Sequence, residues 1–158
     1  MVHVVGLGEM RLSDHPSDVI VTHPTGSCVG VSLHDPEARI GGILHFVLPS
    51  SEVDPGQAAD NPYLFADTGI PAFFREAYAR GATRARLRVV LVGASPVETR
   101  KDLFAIGRRN QITARKLLWR EELLIGAEHL DGTQPGTFCL EIGSGRTWLT
   151  RNGSEVEL

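Results

Sequence analysis

Two apolar runs, "CVGVSLH" at Cys28–His34 and "IGGILHFVL" at Ile40–Leu48, are separated only by Asp35-Pro36-Glu37-Ala38-Arg39. No other feature limits the fold as much. Alternating, β-branched-rich stretches of this length read as strands, and an Asp-Pro step marks a turn. A connection this short joins antiparallel neighbours, so the two runs are expected to form a hairpin. A turn centred near residue 37 places Cys28 and His45 across from one another at its open end. That juxtaposition matters, because a thiol beside an imidazole is the pairing from which a cysteine nucleophile is made.

The rest of the chain is read around this hairpin. Val2–Met10 and Asp18–Thr22 precede it as strand candidates, and Ser50–Pro62, rich in Pro, Gly, Ser and Asp, reads as a surface loop. Leu64, Ile70, Phe73, Phe74, Ala77 and Tyr78 recur at helical spacing within Tyr63–Arg80, with Pro71 marking the start or a kink and Gly81 the stop. Arg84–Val92 reads as a strand entering the interior, and Ile106–Trp119 as a second helix. Leu123–Leu130, Thr137–Ile142 and Thr147–Arg151 are further strands, the last two joined by a turn at Gly143-Ser144-Gly145. Seven or eight strands with two helices in the middle of the chain exclude a doubly wound parallel sheet. The expectation is an α+β fold in which mixed β-sheets form a sandwich covered by two main helices, one domain spanning 1–158.

Composition narrows the function classes. The chain has 158 residues, 42% hydrophobic and 22% charged, enough to bury a core without staples. A net charge of −3 speaks against a binder of nucleic acid held by phosphate contacts. The basic cluster Arg100, Lys101, Arg108, Arg109, Arg115, Lys116, Arg120 reads as a solvated helix face with the capacity to meet an acidic partner. No run approaches the ~20 apolar residues of a membrane span, and no signal peptide is evident. Two cysteines make no disulfide framework, so free thiols in a reducing, cytoplasmic setting are expected.

Within this frame Cys28 is the residue to explain. A free cysteine is most often a buried apolar side chain. Cys28, however, follows Gly26 and Ser27, small residues that let the backbone turn and offer N–H groups near the sulfur. His45 interrupts an otherwise apolar strand and must find a hydrogen-bond partner or solvent. A mononuclear metal site on His23, Cys28 and His45 is the competing use of these residues, and no C-x-x-C or H-x-x-x-H spacing favours it. Cys139, in "GTFCLEI", reads as a structural thiol, and "GLGEM" at Gly6 lacks the helix of a phosphate loop.

The blocks "VTHPTGSCVGVSLHDP", "GGILHFVLP", "FADTGI" and "IGRRNQITARKLL" resemble, in order and separation, those of the chemoreceptor glutamine deamidases, the CheD family. The resemblance runs from Val4 to about Leu118. It implies a cysteine hydrolase with Cys28 as nucleophile, His45 as base and later acid, and Thr22 orienting the imidazole. Ser27 and Gly26 would supply the substrate and oxyanion contacts, and the chemistry needs no metal or organic cofactor. The implied substrate is a glutamine side chain on the cytoplasmic region of a chemotaxis receptor, and the implied partner a CheC-type phosphatase. The sequence departs from the family's pattern at His23-Pro24-Thr25, at "LVGAS" and in "HLDGTQPGTFCLEIGSG". These departures keep open a second reading, a CheD-like adaptor that binds the phosphatase or receptor without turnover.

Overall fold

The computed structural model describes residues 1–24, 26–94, 101–130 and 136–158, with the side chains of 101–104 excepted. The hairpin lies at its centre. Strands β4 (Val29–Asp35) and β5 (Ile40–Phe46) pair antiparallel, and every residue of both is buried. Continuous burial follows from position. Their sheet, in the order β2-β5-β4-β6-β7, is covered on both faces. Its other members are β2 (Glu9–Ser13), β6 (Arg88–Gly93) and β7 (Ile125–Leu130).

A second sheet, β1-β3-β8-β9-β10, stacks on one face. It comprises β1 (Val2–Val5), β3 (Val19–Thr22), β8 (Thr137–Glu141), β9 (Thr147–Arg151) and β10 (Ser154–Glu157). Val5, Ile20, Phe138, Leu140 and Leu149 of this sheet meet Ile43, Val90 and Val92 of the first. The opposite face carries α2 (Ala66–Ala79) and α3 (Lys101–Arg120). There Val29, Val31, Leu33, Leu44 and Phe46 pack on Ile70, Phe73, Phe74, Ala114 and Leu118. Full burial of each large apolar side chain contributes about 1.5–3 kcal/mol. The architecture is the expected α+β sandwich, with both helices on one side.

Several boundaries differ from the sequence reading, each for a local reason. Val2–Met10 is two strands in two sheets, broken at Gly8, whose φ of +67° and close approach to Leu64 require glycine. The polar stretch 50–62 is wound into a 3₁₀ turn at Ser51–Val53 and a short helix α1 (Pro55–Asp60). Ser50 and Asp54 cap these by accepting from the backbone N–H of Glu52 and Gln57. Pro71 sits inside α2, which begins five residues earlier. The segment after Thr83 makes a 3₁₀ turn at Arg84–Arg86 before β6 begins. Strand β10 has no apolar alternation to announce it, and all its residues are exposed.

Candidate active site

Thr22, Cys28 and His45 converge at the open end of the hairpin. The register pairs Val29 with Phe46 and Gly30 with His45. Cys28 therefore does not stand directly opposite His45, as the sequence reading had it. It precedes the first rung by one residue. Alternation puts positions 28 and 30 on one side, so Cys28 is the diagonal neighbour of His45, a relation with a typical Cα separation of about 7–8 Å that long and aromatic side chains can bridge. No hydrogen bond joins the two, and His45 Nε2 is buried without a partner among the described residues. Gly30 has to be small. A Cβ there would stand 3.2 Å from Thr22 Cγ2 and 3.3 Å from the Phe138 ring. Pro24 is buried against the same point, 3.8 Å from that Cβ position.

The imidazole's state follows from its neighbours. Thr22, at the end of β3, places Oγ1 2.7 Å from Val5 O and 2.8 Å from His45 Nδ1. A hydroxyl has one proton, and a carbonyl only accepts. Both contacts are satisfied when Thr22 donates to Val5 O and accepts from Nδ1–H. That arrangement leaves Nε2 as the bare, basic nitrogen. Burial, assisted by the charge of His23 and opposed by that of Glu9, holds the His45 pKa down at about 4. The ring is thus neutral near pH 7. Glu9 is the ladder partner of His45 on β2 and shares its face.

The thiol sits in a fixed backbone. Cys28 is 8% exposed, and burial pushes its pKa up. Its carbonyl accepts from Ala94 N–H at 2.8 Å, beside Gly93, where a Cβ would strike Cys28 O at 2.3 Å. Ser27 O accepts from Asn110 Nδ2 at 2.8 Å, and the same nitrogen reaches Val47 O at 2.9 Å. Gly26, with a φ of +58°, and Ser27 form the half-buried turn before the thiol. A neutral thiol, a neutral imidazole with its lone pair free and a sharp turn of backbone are the parts needed for acyl transfer.

Asn110 and Glu9 escaped the sequence reading. The signal for Asn110 was a polar residue in the stripe Gly107, Asn110, Ala114, Leu118 that α3 buries. Glu9 gave none until β2 was seen as a separate strand beside β5. Among the described residues no three His, Cys, Asp or Glu side chains gather closely enough to hold a metal ion, and His23, Cys28 and His45 form no such group. His23 is exposed and bonded to Thr137 Oγ1. Cys139 lies on β8 opposite Val21 and Trp148, with a raised pKa caused first by burial. Arg108, Arg109, Arg115, Lys116 and Arg120 are exposed on α3, and Arg115 pairs with Glu128. Arg100, Thr25 and Ser95 of "LVGAS" lie outside the described residues, as does 131–135. An apolar groove of about 450 Å³ beside Trp119 and Leu124 touches none of the three site residues.

Among the described residues no helix is long and apolar enough to cross a membrane. Residues 47–151 match the family model described as CheD chemotactic sensory transduction. A probable chemoreceptor glutamine deamidase CheD of Solibacter usitatus is 44% identical over 155 residues, covering 98% of this chain and 92% of that protein. Proteins with the corresponding name from Anaeromyxobacter dehalogenans and Syntrophus aciditrophicus are 40% and 35% identical, over 96% and 97% of this chain and 95% and 96% of theirs. A solved Neisseria meningitidis structure of family DUF152 superposes at a TM-score of 0.48 with 11% identity, covering 83% of this chain and 64% of its own, too remote to bear on activity. The family model and the near full-length relatives together establish that this chain belongs to the CheD family.

Proposed function

We propose that this chain is a cysteine-dependent protein-glutamine deamidase, one domain acting in the cytoplasm on glutamine side chains of a chemotaxis receptor. The observation that carries the reading is the Val5–Thr22–His45 hydrogen-bond chain, which leaves Nε2 basic beside the Cys28 segment. In the first step Nε2 takes the proton from Sγ. The thiolate attacks the glutamine Cδ, and backbone N–H groups of the Gly26-Ser27 turn meet the developing oxyanion. Collapse breaks the C–N bond, Nε2–H protonates the departing amine, and ammonia leaves a thioester on Cys28. His45 then takes a proton from water as it attacks the thioester. The proton returns to Sγ as the C–S bond breaks, releasing glutamate.

Relatives bearing the chemoreceptor glutamine deamidase name support the substrate class. A CheC-type phosphatase is the proposed partner. The second reading, an adaptor without turnover, is favoured by the missing Cys28–His45 hydrogen bond and the buried Pro24. Ammonia release from a glutamine-bearing receptor fragment separates the two. The deamidase reading predicts release by wild type and only background from Cys28→Ala. Equal background from both leaves the adaptor.

A further inference from the structure

Helix α3 buries a polar group where its stripe calls for an apolar one. Asn110 is fully buried between Gly107 and Ala114. Its amide nitrogen donates both protons, one to Ser27 O at 2.8 Å and one to Val47 O at 2.9 Å. Those carbonyls stand one residue before Cys28 and two residues after His45. They also lie where the ladder stops. Val29 and Phe46 are the last β4–β5 pair, and Val47 and Leu48 turn their N–H groups to Leu64 O instead. Asn110 thus spans the diverging strands in place of the next rung.

The amide orientation is dictated by its surroundings, since a flipped group would set Oδ1 against two carbonyl oxygens. In the observed orientation Oδ1 is buried with no partner among the described residues. A leucine would fill the space without stranding an oxygen, so packing alone does not account for an amide here. The rest of α3 presses on the same loop. A Cβ at Gly107 would lie 3.5 Å from Ser27 Cα, and Gln111 Nε2 donates to Ala94 O at 3.4 Å.

We propose that Asn110 is a positioning residue whose two hydrogen bonds set the gap between the Cys28 thiol and the His45 imidazole. The inference rests on these two side chains being nucleophile and base. Asn110 acts through the backbone, and a change in its bonds alters the distance a proton must cross while leaving substrate contacts in place.

Alkylation of Cys28 by iodoacetamide, followed by peptide mapping to separate it from Cys139, reads the thiol without any substrate. In Asn110→Ala and the near-isosteric Asn110→Asp the rate at neutral pH is expected to fall roughly 10-fold, with the pH profile moved to the alkaline side. Adding Asn110→Ala to His45→Gln should slow alkylation no further. On a receptor fragment kcat should fall about 10²-fold with KM within about twofold. Leu118→Ala, a cavity in the same helix, should destabilise yet keep the wild-type alkylation profile. Asn110→Asp carries the test where Asn110→Ala does not fold. Wild-type alkylation in folded Asn110→Asp, or an equal loss in Leu118→Ala, overturns the proposal. The expected alkylation pattern without deamidation by wild type would overturn the deamidase reading and leave the positioning role standing.

Discussion

The two ends of the β4–β5 hairpin are built from similar residues and treat them in opposite ways. At the closed end Asp35 and His34 are buried and hydrogen-bonded. His34 Nε2 bonds Ile142 O at 2.8 Å. Asp35 accepts from the N–H groups of Glu37, Ala38 and Thr83 and pairs with Arg86 at 2.9 Å. Burial alone would push the Asp35 carboxyl up, but Arg86 and these N–H groups outweigh it and hold the group well below the ordinary carboxylate range. At the open end His45 spends one nitrogen on Thr22, while its Nε2 has no partner among the described residues, beside the buried Cys28 thiol. Hydrogen-bonding capacity left over in a buried place costs stability, and chemistry has use for it.

If the ends differ in this way, substitutions at the open end should remove activity and those at the closed end should remove stability. The largest effect belongs to Cys28→Ala. Deamidation should fall at least ~10³-fold while the unfolding midpoint in denaturant stays close to wild type. His45→Gln should follow with a loss of ~10²–10⁴-fold. At the closed end, Asp35→Ala removes the acceptor of three N–H groups and leaves Arg86 only Glu37 and solvent. It should lower unfolding free energy by about 3 kcal/mol with kcat retained, as chemical denaturation and turnover of the folded protein would show.

The pH dependence of stability sharpens the contrast. The folded pKa of His45, about 4, lies below the unfolded value of 6.5. Above pH 6.5 both states hold a neutral ring, and the group contributes nothing. Below it the unfolded chain takes up a proton that the folded chain refuses, so stability falls by about 3 kcal/mol by pH 4 and then levels. His45→Gln should abolish that slope. Asp35 acts in a different window. Its depressed pKa supports the fold at neutral pH, and this support fades only as the pH drops below the ordinary carboxylate range.

Smaller effects come from the groups that hold the imidazole. Thr22→Val removes the acceptor for Nδ1–H and frees the tautomer. Turnover should fall roughly 10- to 100-fold, with about 1–2 kcal/mol of stability lost from the unpaired buried groups. Glu9→Gln removes the charge that raises the His45 pKa. Its effect on kcat/KM should stay under about threefold and vanish in high salt.

Much of this site was legible in the sequence because its parts are local. The hairpin announced itself through two apolar runs and an Asp-Pro step, and Cys28 and His45 stood out as a thiol after a glycine turn and a ring inside an apolar strand. The register was misplaced because the turn hides its length. Asp35 pairs with Ile40, and Arg39 takes a φ of +55° with no glycine to mark it. Thr22 entered only through resemblance, since its bond to His45 spans two sheets and 23 positions. Asn110 is farther still, 83 residues from the carbonyl it holds, and no short pattern encodes such a contact. The edge strand β10, wholly exposed, lacked the burial that periodicity reports.

The central claim is that the Cys28 thiol at the open end becomes the covalent carrier. Wild type mixed with a glutamine-bearing receptor fragment, quenched in acid during turnover and mapped by mass spectrometry, tests it directly. The account predicts a glutamyl thioester on the peptide holding Cys28 and none on that holding Cys139. Ammonia release with no adduct on Cys28, or an adduct on Cys139 that persists in Cys28→Ala, would contradict it.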